Sequence, residues 1–128
     1  MADAKTWLEA VDIVHEHLTA EPIVVGTARA VVLDHEPMPG GIPRPFGVTV
    51  SASSLNEDFY GVAVKVYADA SVDVRAGQRL LLAATPLVDA MLPSTADRPA
   101  WSLSVIDELA VLCMTSEVRM PRPMSYEL

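Results

Sequence analysis

The chain has 128 residues, enough for one domain to bury a core without disulfide or metal staples. Apolar residues make up 51% and aromatics only 5%, so that core must be assembled from Val, Leu, Ala and Met. A formal charge of −8 leaves no basic face to displace counterions from nucleic acid and repels anionic membranes, which argues against free-standing nucleic-acid binding and membrane docking.

No apolar run approaches the roughly 18 residues of a membrane span, and MADAKTWLEA lacks the basic-then-apolar order of a signal peptide. The single cysteine, Cys113, leaves no internal disulfide framework and fits a reducing compartment. A soluble intracellular protein is the expectation.

Trp7, Val11, Val14 and Leu18 recur at four, three and four residues, which predicts a helix over 3–19. Asp3 is the expected N-cap, Lys5 and Glu9 form an i,i+4 pair, and Pro22 sets the end. The β-branched run IVVGTARAVVLDH predicts a strand over 28–35, with 23–25 as its start or as a separate short piece. Residues 36–47, EPMPGGIPRPFG, carry Pro37, Pro39, Pro43 and Pro45, too many for a helix or a central strand. This stretch is either a surface loop or an extended arm that docks on a neighbouring subunit, where proline lowers the entropy lost on ordering.

Strict alternation predicts strands at 46–53 and 60–68, joined by SLNED at 54–58 as an antiparallel hairpin. One face is apolar (Phe46, Val48, Val50; Tyr60, Val62, Val64, Val66) and needs a cover. The cover is a helix over 74–92, N-capped by Asp73, with Leu80, Leu81, Ala84, Val88 and Met91 on one side. Pro86 predicts a kink or break near 82–86, and Pro93 stops the helix. Residues 93–100 form a loop and 101–106 a strand. Residues 109–120 continue the sheet, or alternatively form a short helix capped by Asp107, and 120–128 form an extended tail. The sum is a single α+β domain over 1–128: an antiparallel sheet of about four to five strands with two helices packed on it, in the order α-β-β-β-α-β.

No residue pattern carries chemistry. His15 and His17 point apart on a helix, and no Cys/His cluster has zinc-ligand spacing. Cys113 lies between Leu112 and Met114 with no basic neighbour, the setting of a buried structural thiol. There is no GxSxG elbow, no SxxK pair and no phosphate loop, and Glu57-Asp58 and Asp107-Glu108 read as turn residues. No catalysis, cofactor or metal is expected.

The proline that leads into a strand (PRPFGVTVSAS), the second strand YGVAVKVYADAS and the helix VRAGQRLLLAATPLVDAML directly after it resemble the tail terminator proteins of long-tailed bacteriophages. The resemblance covers roughly residues 40–95, including a Gln-x-x-Leu register at Gln78 and Leu81. It implies a non-catalytic virion protein of the tail and neck, assembled in the host cytoplasm, that closes into a homohexameric ring on the tail tube. The partners implied are the tail tube protein and the head-side connector protein, with DNA passing through an acidic lumen without specific binding. Subunit or partner contacts are expected at Pro39, Ile42, Pro43 and Arg44 of the arm, at Asn56, Glu57 and Asp58 of the hairpin, and at Met120, Arg122 and Tyr126 of the tail. Two other classes are compatible with the residues: another head-tail connector or decoration subunit, and a small α+β ligand-binding module or enzyme with its pocket between helix and sheet.

Overall fold

The computed structural model describes residues 4–37, 41–93, 100–106 and 110–122. In chain order the elements are α1 (Trp7–Thr19), β1 (Val24–Val25), β2 (Ala28–Arg29), β3 (Val31–Leu33), β4 (Phe46–Leu55), β5 (Phe59–Asp69), α2 (Val74–Met91), β6 (Ser102–Ile106) and β7 (Val111–Pro121). The fold is α+β. A five-stranded sheet runs β3-β4-β5-β7-β6, and β1 and β2 form a separate two-stranded ribbon around Gly26.

The alternating apolar residues do what period 2 demands. Val48 pairs with Val66 and Val50 with Val64 across β4 and β5, and all four are fully buried beneath the helices. Burying each such side chain stabilises by about 1.5–3 kcal/mol. β7 adds Leu112, Val118 and Met120 to the same side, so residues 109–120 are strand, not helix. β7 lies between β5 and β6 and is antiparallel to both, so α2 is the crossover of a split β-α-β unit.

α1 buries Ala10, Val11, Val14 and Leu18. Its N-cap is Thr6, not Asp3, which lies outside the described residues: Thr6 Oγ1 accepts the Glu9 N–H at 3.1 Å. Glu9 does meet Lys5, but through the Lys5 backbone N–H at 3.1 Å, because Lys5 precedes the first turn. The Trp7 indole N–H donates to the Gly61 carbonyl at 2.9 Å and ties the helix to β5.

α2 is N-capped by Asp73, whose Oδ1 accepts the Ala76 N–H at 3.1 Å. The expected break near Pro86 does not occur; the helix runs through it to Met91. Pro86 and Leu82 are both exposed, so the carbonyl four residues before the proline is freed on the side of the helix that water can reach. The Thr85 hydroxyl meanwhile donates to the Leu81 carbonyl at 2.7 Å on the buried side.

Three further expectations are corrected. The strand over 28–35 is two pieces, because the Ala30 N–H turns away to the Ile23 carbonyl at 2.9 Å. The sheet is not wholly antiparallel: β3 pairs with β4 in parallel, which the long connection 34–45 permits. Met120 and Pro121 belong to β7 rather than to a tail, since they pair with Tyr60 and Phe59.

Of the segment 36–47, residues 36, 37 and 41–47 are described. Its described part folds back over the other face of its own sheet. Pro43 is buried on Gly47, where a Cβ would collide with it, and Ile42 packs on Tyr67, Val111 and Cys113. That cover explains why β4 opens with five consecutive buried residues, Phe46 to Val50, instead of alternating.

Candidate functional site at the sheet edge

The residues expected to make contacts fall into two groups at opposite ends of β5. Ten residues separate them along the strand, about 33 Å at ~3.3 Å per residue. At one end Ile42 and Pro43 are used within the chain, and Arg44 Nη1 donates to Asp69 Oδ1 at 2.6 Å. Hydrogen bonds from Ser71, then the Arg44 guanidinium, hold the Asp69 carboxyl at about 2. At the other end Asn56 Oδ1 accepts the Asp58 and Phe59 N–H groups at 2.8 and 3.0 Å and shapes the hairpin turn. Arg122 donates to the Asn56 carbonyl at 2.7 Å and lies over the Tyr60 ring at 5.6 Å, so tail and hairpin tip are joined. Glu57 and Asp58 are exposed there. Met120 is in the core and unavailable to a partner. Pro39 and Tyr126 lie outside the described residues.

Two carboxylates organise the arm-covered face. Glu36 accepts from Lys65 Nζ at 2.9 Å, from the Ser51 hydroxyl at 3.2 Å and from the Tyr67 hydroxyl at 3.2 Å, which fastens the arm to three positions on the sheet. Glu117 accepts from Ser53 at 2.6 Å, Ser54 at 2.8 Å and Arg119 at 2.9 Å. A register shift between Ala52 and Ser54 turns both hydroxyls to it, and Gly61 leaves the room, since a Cβ there would meet all three groups. Burial alone would raise Glu117; the hydrogen bonds from Ser53, Arg119 and Ser54 outweigh it and hold the carboxyl below the usual range. Burial pushes the Cys113 thiol and the Tyr67 phenol up. These groups are engaged with one another and brace the face. Among the described residues no three His, Cys, Asp or Glu side chains converge as metal ligands.

The opposite edge is different. β6 carries Leu103 and Val105 toward the helix side, where they are 62% and 53% exposed, and Leu82 of α2 faces them at 66%. Between them runs an apolar groove of about 380 Å³, floored by Leu81, Leu112 and Met114 and closed at one side by Gln78. The groove exists because α2 sits over β5 and β7 and stops short of β6. Within β6, SLSVI contains no Lys, no Pro and no bulge, three of the devices that protect a sheet edge. Sequence reasoning identified this strand but not its place, because alternation reports which face is apolar and not which strand is outermost. The missing edge charge was the available signal.

No helix among the described residues is long and apolar enough to cross a membrane. No family model, no curated protein and no solved structure matches the chain.

Proposed function

We propose that this chain is a structural ring subunit, a tail terminator of a long-tailed bacteriophage that caps the tail tube and joins it to the head connector. The observation that carries the reading is the pair of outer sheet edges that no strand among the described residues covers. β3 and β6 are unlike in sequence and lie on opposite sides of one sheet, and β6 adjoins exposed Leu82, Leu103 and Val105. Contact between unlike patches is heterologous, the kind that generates rings, and ring closure covers edges that a monomer leaves open. The element order and the stretch from PRPFG to the end of α2 support the phage assignment. A net charge of −8 suits a lumen through which DNA passes without adhering.

Light scattering and negative-stain microscopy test the reading, with and without the cognate tail tube protein. Rings of about six subunits that bind tube ends and stop tube growth are expected. A chain that stays monomeric and never joins a tube would overturn it. A tight small-molecule ligand in the α2–β6 groove, seen as a raised unfolding temperature, would favour a ligand-binding module instead.

A further inference from the structure

We infer that the β6 edge of one copy pairs antiparallel with the β3 edge of the next, with Leu103 opposite Val32, so that a second copy of this chain covers the α2–β6 groove. This rests on the ring-subunit reading and names its interface.

The register carries the inference. Following partners across the sheet, Val32 pairs with Val48, Val48 with Val66, Val66 with Met114 and Met114 with Leu103. The row begins on one free edge, ends on the other and is apolar throughout. The rows on either side also run from edge to edge, from Val31 to Ser104 and from Leu33 to Ser102. The two edges therefore stand at the same height. β3 is parallel to β4, and β6 is antiparallel to it through β5 and β7, so a neighbour in the same orientation presents β3 antiparallel to β6. The joint keeps apolar residues on the helix side with no axial step, and a ring without rise needs that. On the receiving side a depression of about 230 Å³ lies beside Val32, lined by Leu18, Ile23 and Ala30 and also by the polar Thr19, Glu21 and Arg29.

Charge separates this arrangement from a two-fold pairing of β6 with itself. Arg75 and Arg79 are exposed on α2, each three residues before a groove residue, Gln78 and Leu82. A two-fold joint would bring both copies' arginines together. The head-to-tail joint turns them instead toward the next copy's α1, whose outer surface shows Asp12 and Glu16. At the same edge Asp34, just past β3, meets its own neighbour His35 at 2.9 Å, and Arg29 and Glu21 are exposed beside it.

Cysteine cross-linking tests it. In a Cys113→Ser background, Ser104→Cys and Val31→Cys are made singly and together. Antiparallel partners lie about 4.5–5.5 Å apart between Cα atoms, within disulfide reach. On mild oxidation the double variant should give a ladder of covalent multimers, at least tenfold above either single variant, which should stay monomeric on a non-reducing gel. Dimers from Ser104→Cys alone would establish the two-fold pairing and overturn the inference, as would no cross-linking in any variant. A ladder with no binding to tube ends leaves the joint standing and removes the terminator reading. Rings on tube ends with no ladder do the reverse.

Discussion

The two flanks of the sheet are finished to different degrees. On the β4 side the first half of the strand is covered on both faces: the helices cover one, and the arm with Ile42, Pro43 and Glu36 covers the other, while Ala52, Ser53 and Leu55 beyond it are exposed. On the β6 side the helix layer ends early, and Leu82, Leu103 and Val105 meet solvent. A chain with only 5% aromatics has few large side chains, and it spends a proline segment rather than another helix to close its β4 side. The apolar patch left open on the β6 side among the described residues is the surface that the proposed ring contact would cover.

The largest expected contrast sets the core against the groove. Phe46→Ala, at a fully buried site, should cost about 3–5 kcal/mol in urea denaturation, while Leu103→Ala should change monomer stability by less than about 0.5 kcal/mol. Equal losses would remove the distinction between the two flanks. Gly47→Ala should cost about 1–3 kcal/mol, because its Cβ collides with Pro43 and the Val31 carbonyl. Faster amide exchange in β3 and residues 41–45 would show that the arm had been lifted; unchanged exchange there would mean that Pro43 is not what holds it down.

Asp69 gives a smaller, pH-dependent effect. Its folded value of about 2 lies below the ordinary 3.8, so its stabilisation is complete above about pH 4 and is lost as pH falls toward 2. Asp69→Asn should therefore cost on the order of 1 kcal/mol at pH 7 and almost nothing near pH 2. A penalty that persists at low pH would point to shape rather than charge. Among the polar substitutions Glu36→Gln should have the milder effect, about 0.5 kcal/mol, since its ion pair with Lys65 is partly exposed. High salt should erase most of that difference.

How much of this was readable from the residues depends on whether local pattern or distant pairing decides. The β4–β5 hairpin and both helices follow from periodicity, and Asp73 from its position before an apolar stripe. The parallel pairing of Val31–Leu33 with 47–49 was hidden, because no local pattern links the two segments across the connection between them. The bulge at Ala52/Ser54 was hidden too: SASSL is uniformly small, and only the distant Glu117 makes both serines face one way. Pro86 does not end α2, and the Leu82 carbonyl that it leaves unbonded belongs to an exposed residue on the side of the helix that water reaches. At the candidate site, WSLSVI predicted a strand with an apolar side, but its outermost position came only from the order of strands.

Sedimentation velocity over a range of concentrations, comparing the wild-type chain with Leu103→Glu, tests most directly whether the β6 edge is an assembly surface. Wild type should sediment as a discrete closed oligomer and Leu103→Glu as a monomer that still unfolds cooperatively in urea. Identical sedimentation of the two proteins, whether as monomers or as the same oligomer, would contradict it.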